Sequence, residues 1–196
     1  RDPGNLKEQF GIRPEERVMI HVSNFRKIKR LPDVVDAFFK VRKHLPVKLL
    51  LVGDGPERRR INEYVKDHQF KKDILFLGKQ ENIEELFAIS DLILLLSEKE
   101  SFGLVLLEAM ACGVPGIGTN IGGIPEVIDH GRNGFIVELG DTDAVAKNAI
   151  DILSDEQKLQ QFREQAFASL EERFHSENIV KQYEEIYYQL TEGSDE

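Results

Sequence analysis

Six short apolar segments recur along the chain and set the predicted fold. Each is rich in Val, Ile and Leu and reads as a near-continuous hydrophobic run, the pattern of strands covered on both faces. The predicted strands are Val18–Val22, Lys48–Val52, Ile74–Leu77, Leu92–Leu96, Val114–Gly118 and Phe135–Val137. Amphipathic helices such as Leu31–Leu45 and Arg58–His68 lie between them. Alternating strands and helices predict an α/β fold, a doubly wound parallel sheet of about six strands.

The last part of the chain is predicted to be helical only. After Phe135–Val137, two longer helical segments follow. Ser154, with Gln157 three residues on, has the capping-box pattern that opens the first, and Ser176 can cap the second. The tail Gly193–Glu196 is acidic, and chain ends of this kind fray. Without a linker-like stretch, the sequence predicts one domain over residues 1–196, with residues 176–190 as its terminal helix.

The charge balance narrows the classes of partner. The chain has 196 residues, of which 41% are hydrophobic and 31% charged, a composition that can bury a core. Its 26 Lys and Arg against 35 Asp and Glu give a net charge of −9. A field of this sign repels polyanions, so we expect no nucleic-acid partner. A local basic pocket is still allowed.

Cysteine content and hydropathy bear on the compartment. Cys112 is the single cysteine, which excludes an internal disulfide framework and a cysteine-rich zinc site. No run approaches the roughly 20 apolar residues of a membrane span. The start, Arg1-Asp2-Pro3-Gly4, contains neither an apolar signal core nor an initiator Met. We expect a cytoplasmic location and a chain cut from a longer protein.

Two segments at strand ends are candidates for anion binding. Ser23–Arg30 follows the first predicted strand and has four cations in five consecutive positions. An anion is the natural ligand at a strand end ahead of a helix, although a solvated loop remains the alternative. Gly53–Arg58 follows the second strand but matches a dinucleotide fingerprint only in its first two glycines, because Arg58 replaces the third small residue. A tight turn with Pro56 at a helix start is favoured over an NAD site.

The stretch Glu100–Gly113 carries the most informative chemistry. Gly103 can begin a helix that aims backbone N–H groups at an anion, and it lacks a Cβ that would keep a ligand away. Glu100 precedes that helix and Glu108 lies inside it, so both can border one pocket. An ionised carboxylate accepts two hydrogen bonds from neighbouring hydroxyls, which suits a polyhydroxyl ligand. A metal site is disfavoured because no matching His or third carboxylate lies nearby in the sequence.

The remaining candidates have weaker patterns. Gly116–Glu126 combines glycines with Thr and Asn, and it is either a ligand loop or a plain turn into a helix. The five histidines are scattered singly, and Cys112 lies at an apolar helix end. For the histidines and Cys112, structural or exposed positions are favoured over catalytic ones.

Taken together, the motifs are similar to a known enzyme family. Glu100 and Glu108 with seven residues between them, followed by Ala111–Pro115 and Gly122–Glu126, resemble the retaining glycosyltransferases of family 4. The resemblance covers essentially the whole chain. It implies the C-terminal half of a two-domain GT-B glycosyltransferase, the Rossmann-like half that binds the nucleotide sugar.

The resemblance also implies a role for each matching residue. Glu108 would hold the ribose hydroxyls, while Glu100 and Lys29, the catalytic candidates, would meet the donor sugar and the phosphates. The family has Arg five residues before that lysine, whereas this chain has Asn24. Either Arg26 supplies the missing cation, or Lys29 and backbone donors hold the pyrophosphate alone. The other implied donor-binding positions are Gly53, Gly78, Lys79, Gln80, Phe102, Gly103, Leu104 and Val105.

The implied reaction moves N-acetylglucosamine from its UDP carrier to the hydroxyl of L-malate, with retention at the anomeric carbon, as the first step of bacillithiol synthesis. Ser23–Arg30, Leu77–Gln80 and Ser97–Glu100 carry this finer match. The UDP-sugar would be a substrate, and neither a cofactor nor a metal is expected. Acceptor contacts and the family's catalytic His would belong to an absent N-terminal domain, toward which residues 176–190 would pack. A homo-oligomer is also compatible with the sequence.

Other functions remain open on the sequence alone. Another family 4 hexosyltransferase would differ in donor or acceptor. A sugar-nucleotide epimerase of the same architecture would act without an acceptor and would need carboxylates and a His that move protons at the sugar. A nucleotide-sugar sensor would keep binding but lack acid–base groups in its other domain.

Overall fold

The computed structural model describes residues 3–192, and their strands form one six-stranded sheet. The strands are β1 Arg17–Val22, β2 Val47–Val52, β3 Ile74–Gly78, β4 Leu92–Leu95, β5 Gly116–Thr119 and β6 Gly134–Val137. Their order is β3-β2-β1-β4-β5-β6, and all pairings between them are parallel. The chain therefore builds the sheet outward in both directions from β1 and β4, and the strand order reverses between these two strands.

Helices connect the strands and cover both faces of the sheet. They are α1 Pro3–Gln9, α2 Leu31–Arg42, α3 Arg58–Val65, α4 Ile83–Ala88, α5 Leu104–Ala111, α6 Ile124–Val127, α7 Thr142–Leu153, α8 Glu156–Phe174 and α9 Ser176–Glu192. Short 3₁₀ turns occur at Lys27–Lys29 and Lys71–Asp73. Parallel strands need such crossovers, because the chain must return to the same end of the sheet before each new strand.

Two apolar layers hold the sheet between the helices. Successive strand residues point to opposite faces, so Met19 joins the layer under α2 and α7, whereas Ile20 joins the layer under α5 and α6. Every residue of β4 and β5 is buried. Because burial on both faces removes any polar alternation, these strands are visible in the sequence as continuous apolar runs.

The predicted α/β fold with a doubly wound parallel sheet is confirmed, with shifts at several ends. The strand predicted at Val114–Gly118 is Gly116–Thr119, because Val114 is buried just ahead of the pairing residues. The helix predicted at Leu31–Leu45 ends at Arg42, and the one predicted at Arg58–His68 ends at Val65. The predictions thus extended into the loop residues next to the helices and strands, of which Val114 is fully buried.

The prediction for the C-terminal helices was wrong in two respects. Within residues 3–192, three helices follow β6 rather than two, since α7 precedes the predicted pair. Ser154 does not open a helix, because it is the residue that ends α7. Asp155 caps α8 instead, and its carboxylate accepts hydrogen bonds from the backbone N–H groups of Gln157 and Lys158.

The final helix begins at Ser176. The side chain of Ser176, and with it the predicted cap, lies outside the described residues, as does the tail Gly193–Glu196. On the described part of α9, Tyr183 and Ile186 are exposed to 63% and 52%. No helix within the described residues is both long and apolar enough to cross a membrane.

Candidate functional site

The carboxyl ends of β1 and β4 meet where the strand order reverses, which is the edge at which open α/β sheets bind ligands. Ser23–Arg30 follows β1 and Ser97–Glu100 follows β4. The backbone N–H of Glu98 donates to the carbonyl of Ile28 at 2.9 Å. This bond joins the two segments directly, so the fold gathers the predicted basic segment and one predicted carboxylate at a single edge.

Lys29 and Glu100 form an ion pair at this edge. The Lys29 Nζ lies 2.6 Å from Glu100 Oε2, and both side chains are largely buried, with exposed fractions of 16% and 15%. The Ser97 hydroxyl donates to the same carboxylate oxygen at 3.4 Å. An ammonium has three donors and a carboxylate has several lone pairs, so each group can also contact a ligand. The site therefore holds a cation and an anion in contact before any ligand arrives.

The backbone of Ser23–Arg30 is strained at two positions. Phe25 with φ 42° and Arg30 with φ 52° are the non-glycine residues of positive φ in the described chain. Phe25 is held by burial, with 1% of its surface exposed, and its carbonyl accepts a hydrogen bond from the Glu57 N–H at 2.9 Å. A strained backbone conformation of this kind persists only where several surrounding contacts hold it, and such conformations are common at functional sites.

The buried side chain of His21 holds the start of the basic segment Ser23–Arg30 in place. Its Nδ1 donates to the Leu94 carbonyl on β4 at 2.9 Å, which leaves Nε2 to accept from the Ser23 hydroxyl at 2.9 Å. The Ser23 oxygen in turn accepts from the Phe25 N–H at 3.3 Å. Burial, and to a smaller extent the charge of Lys29, lower the pKa of His21 to about 4 despite the opposing hydrogen bond to Leu94. A neutral imidazole thus ties β4 to the basic segment.

The turn after β2 supports the same segment from the other side. A Cβ on Gly53 would lie 1.8 Å from the Ser23 carbonyl oxygen, and one on Gly55 would lie 2.0 Å from that of Asn24. The Gly53 N–H also donates to the Gly78 carbonyl at 2.7 Å. The structure shows the expected tight turn, with Pro56 just ahead of Glu57, the residue that precedes α3. Only glycine permits this close approach of the backbone.

The loop after β3 presents exposed polar groups at the same edge of the sheet. Lys79 and Gln80 are exposed, and the Gln80 amide donates to the Leu77 carbonyl at 2.6 Å. Arg58 from α3 reaches this loop, since its Nη1 lies 3.6 Å from where a Cβ on Gly78 would be. Sequence reasoning treated Arg58 only as a mismatch to a dinucleotide motif and missed this position.

The helix α5 begins as predicted, directly after Gly103. Gly103 has φ 87° and precedes the first turn, which contains Leu104 and Val105. The first N–H groups of a helix have no intrahelical acceptor and carry its positive dipole end. Leu104 and Glu108 are one turn apart and both exposed. Glu108 therefore faces water at the edge of the site, and no side chain within the described residues pairs with its carboxylate.

The loop predicted at Gly116–Glu126 supports the backbone of Glu100. A Cβ on Gly122, where φ is 56°, would lie 1.8 Å from the Glu100 carbonyl oxygen. The Gly123 N–H donates to the Ser101 carbonyl at 3.1 Å, and the buried Thr119 hydroxyl donates to the Ser97 carbonyl at 2.6 Å. The structure thus shows a strand and a turn into α6 that hold the segment carrying Glu100.

The structure leaves several predicted site residues out of direct contact. Asn24 and Arg26 are exposed on the basic segment, and Glu108 makes no described contact with Glu100. Phe102 is half-buried and packs edge-to-face against Phe174 at 5.9 Å between ring centroids. Among residues 3–192, no three His, Cys, Asp or Glu side chains are grouped as a metal site would require.

The parallel sheet, whose strand order reverses between β1 and β4, defines the class of the doubly wound α/β domain, in which ligands bind beyond the carboxyl ends of the strands. Comparison with known protein families identifies the family of such domains to which the chain belongs. The model of the family "Glycosyl transferases group 1" matches residues 3–169, and the chain belongs to this family.

Curated relatives match nearly all of the chain. It is 57% identical over 190 residues to N-acetyl-alpha-D-glucosaminyl L-malate synthase of Bacillus anthracis, which covers 97% of this chain and 50% of that protein. It is 30% identical over 196 residues to a trehalose synthase of Pyrococcus horikoshii, covering 94% of this chain and 46% of that protein. The chain thus spans about half the length of these relatives.

Solved structures share the fold over almost the whole chain. HepE from Anabaena in complex with UDP matches with a TM-score of 0.87 and 28% identity, covering 96% of this chain and 52% of that chain. The complex of the same protein with UDP-glucose matches with a TM-score of 0.85. The sucrose-phosphate synthase of Thermosynechococcus elongatus matches with a TM-score of 0.82 and 26% identity, covering 97% and 49%. The predicted family and its Rossmann-like fold are therefore confirmed.

Proposed function

We propose that this chain is the donor-binding, C-terminal part of a retaining glycosyltransferase that transfers N-acetylglucosamine from UDP to L-malate, the first step of bacillithiol synthesis. The observation that carries the proposal is the Lys29–Glu100 ion pair at the reversal point of the sheet. The identity of 57% to the malate synthase of Bacillus anthracis supports the donor and the acceptor. The HepE complexes with UDP and UDP-glucose support a uridine nucleotide on this fold.

The diphosphate is the part of the donor that these cationic groups suit. In the proposed complex, Lys29 and the first-turn N–H groups of α5 face the phosphates, and Arg26 adds a second, exposed cation. Negative charge grows on the diphosphate as its bond to the sugar breaks. A cation already held in position stabilises that charge without reorganising, which lowers the barrier. The contact with Glu100 supplies this preorganisation, because it fixes the ammonium before the donor binds.

The carboxylates suit the sugar and ribose hydroxyls. Glu100 retains free lone pairs beside Lys29, so it can accept from donor-sugar hydroxyls close to the reacting carbon. Glu108 is exposed one turn further along α5 and can accept from both ribose hydroxyls. The base then lies against the backbone of Gly78–Gln80. The proposed reaction uses no bound metal or cofactor, because Lys29 and the α5 dipole supply the positive charge.

Acceptor binding and the family's catalytic His are assigned to the other half of the protein. The relatives are about twice as long as this chain, which leaves room for a second domain. The exposed face of α9, with Tyr183 and Ile186, is a surface against which that domain can pack. We also propose a cytoplasmic location, because both substrates of the proposed transfer, the UDP-sugar and malate, are intermediates of metabolism inside the cell.

The direct test is a transfer assay on the full-length protein that contains this chain. Purified protein is incubated with UDP-N-acetylglucosamine in the presence and absence of L-malate, and the release of UDP and the anomeric configuration of the product are measured by NMR. We expect malate-dependent release of UDP and an α-linked product. Conversion of the donor at the same rate without malate would instead support an epimerase and would contradict the proposed transfer.

A further inference from the structure

Arg30 is a strained residue at the end of the basic segment. It has φ 52° and ψ 44°, and it stands directly before α2. The left-handed conformation is strained for a residue that carries a Cβ. The position before a helix favours a short side chain that caps the helix, yet the Arg30 side chain forms no cap hydrogen bond. An arginine at this point needs a compensating interaction.

Two carboxylates on different elements supply that interaction. Asp33, in the first turn of α2, receives two hydrogen bonds from Arg30, from Nε at 2.9 Å and from Nη2 at 3.1 Å. On the opposite side, Arg30 Nη1 lies 3.6 Å from Glu98 Oε2. The guanidinium therefore links the start of α2 to the segment that follows β4. Its charge is already matched by two anions, which leaves it poorly suited to hold a phosphate itself.

The residues on both sides of Lys29, Ile28 and Arg30, contact Glu98. Ile28, on one side of Lys29, accepts a hydrogen bond from the backbone of Glu98, and Arg30, on the other side, contacts the Glu98 carboxylate. Lys29 itself reaches Glu100, two residues beyond Glu98. Three successive residues after β1 thus contact one short segment after β4. The contacts of Ile28 and Arg30 with Glu98 fix the backbone from which the Lys29 side chain extends.

We infer that Arg30 and Glu98 are positioning residues that hold Lys29 against Glu100 and so fix the cation that meets the donor diphosphate. Neither needs to touch the donor. The inference rests on the proposed function, since it concerns the same phosphate-binding lysine. It predicts that the effect of Arg30 on ligand binding is transmitted through Lys29.

A double-mutant cycle on the full-length protein tests this transmission. UDP binding is measured by calorimetry for the wild type, Arg30→Gly, Lys29→Ala and the double variant. Glycine accepts positive φ, so Arg30→Gly removes the side chain without straining the backbone. We expect Arg30→Gly to weaken UDP binding about fivefold when Lys29 is present and less than about 1.5-fold when it is absent, since coupled residues are not additive.

Two further variants keep the test independent of folding defects. Glu98→Gln retains the backbone bond to Ile28 but removes the charged partner, and we expect the same dependence on Lys29. Arg132→Ala is the matched control, because Arg132 also pairs with a carboxylate three residues away, Asp129, near the opposite end of the sheet. This control should leave UDP binding unchanged in both backgrounds.

The possible failures separate the inference from the proposed function. Equal losses on Arg30→Gly with and without Lys29 would show that Arg30 contacts the phosphate itself or acts only on stability, and would overturn the inference alone. If Lys29→Ala binds UDP as the wild type does, or the wild type does not bind UDP, the inference and the proposed phosphate site fall together.

Discussion

At the scale of single residues, the contact between Lys29 and Glu100 changes how both should be understood. The residue types predicted a phosphate-binding lysine and a sugar-binding carboxylate, but nothing in the sequence indicated that they touch, since 71 positions separate them. A largely buried cation needs a partner, because desolvation without one is costly. Glu100 is therefore the partner of Lys29 as well as a proposed sugar ligand, and substitutions at either position act on both.

Replacing the lysine tests the basic segment. Lys29→Ala should weaken UDP binding by about 1.5–3 kcal/mol, because a charged hydrogen bond to phosphate is lost. The dependence of UDP affinity on salt concentration should also become smaller, because fewer charge–charge contacts remain for salt to screen. Arg26→Ala should have a smaller effect. Lys27→Ala, an exposed neighbour in the same segment, is the control. If the salt slope measured by calorimetry is unchanged in the Lys29 and Arg26 variants, the segment is only a solvated loop.

The buried histidine predicts a pH dependence of stability. The unfolded chain takes up a proton at His21 near its ordinary pKa of 6.5, whereas the folded pKa is about 4, so acid favours the unfolded state. From pH 7 to pH 5 this residue should lower the free energy of unfolding by about 2 kcal/mol. Urea denaturation at both pH values measures the free energy of unfolding of the wild type and of His21→Gln. The difference between the two proteins gives the contribution of His21, because the other titrating groups contribute equally to both. Identical pH profiles would contradict the buried, neutral assignment.

At the scale of elements, the sequence predicted the strands better than the helix ends. The strands were visible because both faces of the sheet are buried, and their parallel direction followed from the alternation of strands and helices. The helix α7 was missed although it has the buried face that an amphipathic helix requires, formed by Val145, Ala146, Ala149, Ile152 and Leu153. Ser154 and Asp155 are both good capping residues, and only the extended backbone of Asp155 identifies it as the cap.

The cap of α8 gives a prediction with an adjacent control. Asp155→Ala should lower the free energy of unfolding by about 1 kcal/mol, because two backbone N–H groups lose their acceptor. Ser154→Ala should change it by less than about 0.5 kcal/mol, since Ser154 ends the preceding helix. Urea denaturation of the two variants measures both values. A larger loss of stability for Ser154→Ala than for Asp155→Ala would instead support the capping box predicted from the sequence, with Ser154 as the cap.

At the scale of the whole molecule, the site is built entirely on one edge of one sheet. Supports from β1, β2, β4 and β5 converge on two segments, and glycines at two turns, after β2 and after β5, allow the backbones to approach. These supports could not be predicted from the sequence, because they join residues that are far apart along the chain. The division into one domain over residues 1–196, the packing of α9 against a second domain, and any homo-oligomer stay predictions.

The central claim is that this edge binds a UDP-sugar with Lys29 on the diphosphate and Glu100 on the sugar. The most direct measurement is the ratio of the dissociation constants of UDP and UDP-N-acetylglucosamine, determined by calorimetry on the full-length protein and on its Glu100→Gln variant. We predict that the variant binds UDP nearly as well as the wild type, because the amide oxygen of the variant can still accept the hydrogen bond of Lys29 Nζ and keep the ammonium in place. The preference of the variant for the sugar-bearing ligand should fall toward one. An equal loss of affinity for both ligands would contradict the placement of Glu100 at the sugar.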